Sequence, residues 1–433
     1  MRSAPRWTLL PATLGLAIVL AYLILWVEIT PLMIAQADFT PTYVGATLFR
    51  DGLGAAIYDQ TLQAHLYASA IAPLHEGYLP FMAAPLTAVV AAPVTLLSLD
   101  AAYRVWSLLQ FSLIAVAAIV AVRAAPSEVA IGRERRAGVA LIALACLGSG
   151  STLFQGQWDG VWALGLAFTY MCLRRHRMAT AGAVLAVTSL LAKPQLALGL
   201  AAFALGWRDR RLITGALAGG VVTVAVSLVA VGTGGVAGFL GGLGSAVSAP
   251  PAVMVSLVGI AASILGQTPA ADVVTAIGSL IALAIAGALG SAVRSRPRRL
   301  EAALAGAVVL SLLASPHAFG DDLALLVPAA AWSITALEGQ GGDVRSLRHA
   351  VLIIWLAISV AAYLVTVGTA RQLGNLTPWT LVAAAGLAVA VCMRQGGAAT
   401  VPSPVTGPGL LALTPTSPGG SRAVPAPPLS GLL

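Results

Sequence analysis

The sequence predicts an all-α, polytopic transmembrane helix bundle of about ten to thirteen helices with no soluble domain of its own. Three observations carry that reading. Mean hydropathy is +0.91, with 58% hydrophobic and only 9% charged residues, a balance that a globule with a charged, water-facing surface does not show. Apolar runs of helix-spanning length recur along the 433 residues. The arginines fall in short clusters between those runs: Arg133, Arg135, Arg136; Arg174, Arg175, Arg177; Arg208, Arg210, Arg211; Arg294, Arg296, Arg298, Arg299. That is the pattern of cytoplasmic loops under the positive-inside rule, so the net charge of +8 points to membrane topology rather than to nucleic acid. Cys146, Cys172 and Cys392 lie scattered in apolar segments without disulfide or zinc spacing and read as small hydrophobes.

Arg2 and Arg6 precede the first apolar run, Leu9 to Ile29. Ala35-Gln36-Ala37 has the form of a signal-peptidase site, but the run exceeds an ordinary signal core of about 7 to 15 residues, so an uncleaved first span with a cytoplasmic start is expected. Thr30 to Pro80 follows as a polar stretch holding Asp38, Asp51, Asp59, His65, His75 and Glu76 among aromatics and prolines, and the arginine rule places it outside the cytoplasm. Apolar segments come next at Ala83–Leu99, Val105–Val122, Ala137–Leu153 and Val161–Leu173. Two full crossings before Arg133–Arg136 would leave that cluster outside. Either Ala83–Leu99, broken by Pro85 and Pro93, does not traverse, or the cluster violates the rule.

Ala179 to Trp207 is apolar for about 29 residues, some 43 Å as one helix, too long for a core of about 30 Å. With Lys193-Pro194-Gln195 at its middle and arginines beyond both ends, it reads as a helical hairpin whose turn points away from the cytoplasm. Further spans are expected at Leu212–Val231, Ala271–Val293, Ala302–Leu313, Leu323–Leu337, Val351–Val367 and Trp379–Met393. Gly232 to Pro251 reads as an outer loop, and Val253–Leu265 as a re-entrant or interfacial helix. One transmembrane domain is thus expected over residues 1–395, with its first non-cytoplasmic loop at 31–82, followed by a disordered Pro/Gly-rich tail at 396–433.

Four polar breaks lie on the non-cytoplasmic face of this topology: Asp38-Phe39, Gln155-Gly156-Gln157-Trp158-Asp159, Lys193-Pro194-Gln195, and Ser315 to Asp322. Asp38, close behind the first span, has the partly desolvated setting of a general base; a cap for a following helix is the plainer alternative. Lys193, the one lysine of the chain, has the charge to hold a phosphate, or it snorkels. His317 with Asp321 and Asp322 suits a phosphate contact or a divalent cation, against a capping role for either aspartate. Gln157 and Asp159 have the groups to bond sugar hydroxyls, or they form a plain polar turn. Tyr43, Tyr58 and Asp59 share the first outer loop, and the tryptophans, Trp106, Trp158 and Trp379 among them, read as belt or packing residues. No Walker loop, HExxH or GxSxG stands in a usable setting, which excludes soluble nucleotide chemistry.

Together these pieces resemble glycosyltransferase family 87, polyprenyl-phosphate-mannose-dependent α-mannosyltransferases of the C-type superfamily. The resemblance runs from Asp38 to about Pro328. It rests on Asp38-Phe39 with Tyr43 and Tyr58-Asp59 downstream, Tyr78-Leu79-Pro80-Phe81 through Pro85-Leu86, Ala102-Tyr103-Arg104-Val105-Trp106, Gly156-Gln157, Lys193-Pro194-Gln195 and Ser315-Pro316. Two departures stand out: Asp159 where relatives often carry Asn, and Leu79 inserted in a Tyr-Pro-Pro element.

The resemblance implies a membrane-embedded inverting transferase of C-type architecture in the cell membrane, working on the non-cytoplasmic side without cofactor or nucleotide sugar. Its implied partners are a polyprenyl-phosphate sugar donor, a lipid-linked or envelope glycan acceptor and membrane lipids. Asp38 matches the loop aspartate implied to be the base, while Lys193 and His317 are candidates for the leaving phosphate on physical grounds. Tyr43, Tyr58, Asp59, Gln157, Asp159 and Asp321 are the candidate substrate contacts. A transporter or flippase of lipid-linked sugars is the alternative; it would often show matched broken helices in two repeats, and no second copy of the Asp38 loop or the Lys-Pro hairpin is found.

Overall fold

The computed structural model describes residues 9–71, 79–126, 132–242, 251–337, 344–366 and 375–394. His75, Glu76, Tyr78 and the expected tail at 396–433 lie outside the described residues. Among the described residues there are helices and turns and no strand. The helices in chain order are α1 (Leu9–Val27), α2 (Pro31–Ala35), α3 (Phe39–Arg50), α4 (Gln60–Ala70), α5 (Pro85–Ala91), α6 (Leu99–Ala124), α7 (Arg133–Leu144), α8 (Leu147–Gln155), α9 (Asp159–Arg174), α10 (Met178–Leu191), α11 (Leu198–Trp207), α12 (Arg210–Gly242), α13 (Leu257–Leu265), α14 (Pro269–Ser295), α15 (Leu300–Ala314), α16 (Leu326–Ala336), α17 (Val344–Thr366) and α18 (Thr377–Arg394).

Among the described residues five helices are long and apolar enough to cross a bilayer, namely α6, α12, α14, α17 and α18, and the pair α7–α8, bent by 63°, has the length and composition of a broken span or a re-entrant loop. The chain is a multi-pass membrane protein. α1, expected to be the first span, has 19 residues, about 28 Å, while α9 has 16, about 24 Å, and α15 has 15, about 22 Å. Most residues of α9 and α15 are buried in the bundle. There neighbouring helices replace lipid, so irregular backbone can complete the path that a lipid-facing helix must cover alone.

Small residues set the helix contacts. A Cβ on Gly182 of α10 would strike the Leu212 carbonyl of α12, and one on Gly215 the Ala179 carbonyl in return; Gly206 and Gly290 do the same between α11 and α14. Between apolar helices in lipid, close backbone approach of this kind is a principal source of attraction.

Two polar clusters fix the ends of the bundle. At one end the Tyr170 hydroxyl donates to Glu301 Oε1 at 3.0 Å, Arg174 lies 3.5 Å from the same oxygen, and Trp332 Nε1 donates to the Glu301 carbonyl at 3.1 Å. At the other end Lys193, just after α10, meets Asp159 at the start of α9 and Asp321 and Asp322 in the turn before α16. Asp159 and Arg174 terminate the same helix, about 22 Å apart. Followed helix by helix, Arg123, Arg133–Arg136, Arg174–Arg177, Arg208–Arg211 and Arg294–Arg299 all fall at the Glu301 end.

The Arg133 cluster obeys the arginine rule because Ala83–Leu99 does not cross. It forms α5 and a 3-10 turn, Ala92–Leu96, spanning about 20 Å at most, less than a core of about 30 Å. Instead it folds back on α3: Arg50 donates to the Thr95 carbonyl at 2.6 Å and Tyr43 to the Leu97 carbonyl at 2.9 Å. The expected hairpin at Ala179–Trp207 is present as α10 and α11, split at Lys193-Pro194. The outer loop expected over Gly232–Pro251 is corrected as far as Gly242, and residues 243–250 lie outside the described residues. Gly232 kinks the chain at φ 67°, ψ −179°, and helix resumes to Gly242, resting on the loop before α4 through Gly234 on Ala55 and Gly238 on Tyr58.

Candidate active site

Asp38 occupies the junction between α2 and α3. Its side chain makes no capping bond to α3, so the plain helix-cap reading does not describe it. Both ends of the residue are held instead by the turn between α8 and α9. Its backbone N–H donates to Gln155 Oε1 at 3.2 Å, and its Oδ2 accepts from Gln157 Nε2 at 2.6 Å. The turn between the two glutamines is possible because Gly156 takes φ +64°. A Cβ at Gly156 would also press on the Phe39 side chain. The Gly156 carbonyl accepts from Trp106 Nε1 of α6 at 3.0 Å, and Trp106 packs edge-on against Trp158 at 4.7 Å. Trp106 and Trp158 are packing residues, as their sequence context suggests.

The Asp38 side chain reaches solvent, yet the surrounding walls desolvate it. Burial, reinforced by repulsion from Asp321, raises its carboxyl above the ordinary carboxylate range, against the opposing Gln157 hydrogen bond and the Lys193 charge. A carboxylate so placed is a stronger base than one in open water.

The second half of the site is built around Lys193. Pro194 ends α10, and Lys193 extends with φ −143° so that its ammonium enters the bundle. Nζ lies 3.1 Å from Asp159, 2.6 Å from Asp321 and 2.5 Å from Asp322. Thr152 of α8 donates to Asp159 at 3.4 Å, and the Phe319 N–H donates to Asp322 Oδ2 at 2.8 Å. Gly148 brings α8 against the backbone of Leu323 and Ala324, which seats the turn bearing the two aspartates. One ammonium thus faces three buried carboxylates. The carboxylate oxygens of Asp159, Asp321 and Asp322 lie within 4.8 Å of one another, a hard-oxygen donor set of the kind a divalent cation such as Mg²⁺ takes, with the ammonium now among them.

Of the residues singled out in the sequence, the structure brings Asp38, Gln157, Asp159, Lys193 and Asp321 together at one end of the bundle. His317 is exposed in the turn between α15 and α16, where its N–H donates to Ser315 Oγ at 3.3 Å; among the described residues it makes no ion pair with Asp321 or Asp322. Tyr43, Tyr58 and Asp59 are engaged in structural bonds outside the cluster: Tyr43 to the Leu97 carbonyl, Tyr58 to the Ala83 carbonyl at 2.5 Å, and Asp59 capping α4 through Thr61 and Leu62. Asp322, read from the sequence together with His317 and Asp321, joins the site as well. Gln155 and Thr152 join it without having been singled out individually: Gln155 was foreshadowed by its place in the same polar break, but no local pattern marks Thr152, which lies within α8.

The model of glycosyltransferase family 87 matches residues 81–316. No curated protein and no solved structure matches the chain. The matched stretch contains Gln155, Gln157, Asp159 and Lys193; Asp38 precedes it, and His317, Asp321 and Asp322 follow it directly.

Proposed function

This chain belongs to glycosyltransferase family 87 and is a membrane glycosyltransferase, and on that premise we propose that it moves a hexose, mannose foremost, from a polyprenyl phosphate to a lipid-anchored or cell-envelope glycan with inversion at the anomeric carbon. The observation that carries the proposal is Asp38: an accessible, desolvated carboxylate with one oxygen held by Gln157, standing beside a charged cluster at the end of the bundle opposite the arginine clusters. The positive-inside rule makes the arginine end cytoplasmic. The site then opens outside the cytoplasm of the cell membrane, where a sugar activated on a lipid phosphate is the suitable donor.

In the transfer, an acceptor hydroxyl oxygen attacks the anomeric carbon as Asp38 takes its proton. The bond from that carbon to the phosphate oxygen breaks, and polyprenyl phosphate leaves with the electron pair. His317, exposed in the turn before α16, and the Lys193 ammonium are the groups we assign to the departing phosphate; Lys193 reaches it only by yielding one of its carboxylates. Asp159 and Asp321 offer carboxylate oxygens beside Lys193 for sugar hydroxyls.

The test is transfer from radiolabelled polyprenyl-phosphate mannose to membrane acceptors, with wild type and Asp38→Asn at matched expression. Wild type should transfer and the variant should not. Movement of the lipid-linked sugar across the bilayer without transfer in either membrane would replace the enzyme with the transporter.

A further inference from the structure

The two glutamines around Gly156 do something that a sugar-binding polar turn has no need to do. They grip a single residue, and they grip it twice: Gln155 holds the Asp38 backbone through its N–H, and Gln157 holds one carboxylate oxygen. The other oxygen, Oδ1, makes no hydrogen bond among the described residues. The turn that carries them is itself locked. Gly156 adopts a left-handed conformation, its carbonyl is taken by Trp106, and it leaves no room for a side chain against Phe39, the residue after Asp38. The contacts bridge more than a hundred residues of sequence and join the start of α3 to the junction of α8 and α9.

We propose that Gln155 and Gln157 form a positioning clamp for Asp38, fixing its main chain and Oδ2 so that Oδ1 alone is presented to the acceptor hydroxyl. Gln157 is then a positioning residue rather than a sugar ligand. Because its N–H is committed to a charged oxygen, it also favours the basic form of Asp38, working with the charge of Lys193 and against that of Asp321, the two ionic groups that bear on Asp38 from the elements around it. No bond in the transfer is made or broken on either glutamine. The mechanistic half of this assignment rests on Asp38 being the base; the geometric half does not.

The experiment compares wild type with Gln157→Leu, Gln157→Glu and Gln155→Ala, purified in lipid nanodiscs and checked for a monodisperse, wild-type-like melting profile. Two readouts are taken: the pH profile of sugar transfer with separate kcat and KM, and the protonation of Asp38 followed by isotope-edited infrared titration of its carboxyl band. For Gln157→Leu the clamp predicts a fall in kcat at neutral pH of roughly ten- to hundredfold. It also predicts little change in donor or acceptor KM, and a carboxyl titration and acid limb displaced together to higher pH. Gln157→Glu, which adds a negative charge beside Asp38, should displace both further. Gln155→Ala should lower kcat without moving the titration, since it frees the backbone and leaves the carboxylate bond.

A rise in KM with an unmoved titration in Gln157→Leu would overturn the clamp and make Gln157 a substrate ligand. Should one glutamine variant fail to fold, the other two still carry the test. If wild type transfers no sugar, the proposed function fails, and the infrared titration alone still decides whether Gln157 holds the Asp38 carboxylate.

Discussion

A carboxylate accepts a proton only in its charged form, so the environment of Asp38 sets a pH below which the reaction stops. Burial and Asp321 raise its titration above the ordinary range. The charged base is therefore lost as pH falls through that raised value, and the acid limb of the kcat profile should lie at higher pH than that of an unperturbed aspartate near 3.8. An acid limb in the ordinary range, measured in nanodiscs, would mean that Asp38 is not the titrating base. Lys193 leads to a different expectation. Lys193→Met leaves three carboxylates buried without their cation, a change of the kind that costs about 3–5 kcal/mol. The purified variant should melt well below wild type, and Lys193→Arg should recover part of the loss. At this scale the sequence displayed the polar breaks but not their pairing. That Lys193 would be enclosed by three acids from two distant segments, and that Asp59 would cap α4 rather than join Asp38, depends on contacts between residues up to 129 positions apart.

Among the elements, the long apolar runs were legible because hydropathy registers lipid exposure directly, and α6, α12, α14, α17 and α18 fall where it placed them. The hairpin at Lys193-Pro194 was legible from length and charge together. What hydropathy could not distinguish was a short apolar run crossing the bundle from one lying across its end: α5 with its following turn is as apolar as a span but folds back on α3. Nor did the glycines after Val231 reveal that helix resumes beyond a single kink. The helix contacts make a sharp prediction here. Gly182→Leu drives a side chain into the Leu212 carbonyl and should separate α10 from α12, lowering the melting temperature in detergent, whereas Gly386→Ala, with open space around it, should leave it within about a degree or two. Equal melting of the two variants would remove the close approach as a source of stability.

For the whole molecule, the asymmetry of charge between the two ends is the property that orients it in a bilayer. Met33, exposed near the Asp38 end, and Arg175, exposed at the opposite end, should therefore lie on different sides. Single substitutions Met33→Cys and Arg175→Cys, treated in intact cells with an impermeant maleimide, should label at position 33 and not at 175; the native cysteines are all buried and give a low background. The reverse labelling would put the site in the cytoplasm. The enclosure of the one lysine has a practical corollary for anyone handling the protein. Amine-directed crosslinkers, fluorophores and surface-coupling chemistries will find no freely exposed lysine side chain on the folded molecule, because Lys193 is only 14% exposed and its ammonium is held by three carboxylates. Acylation at Lys193 by an amine-reactive probe thus becomes a native gauge of how often the site opens, needing no engineered label.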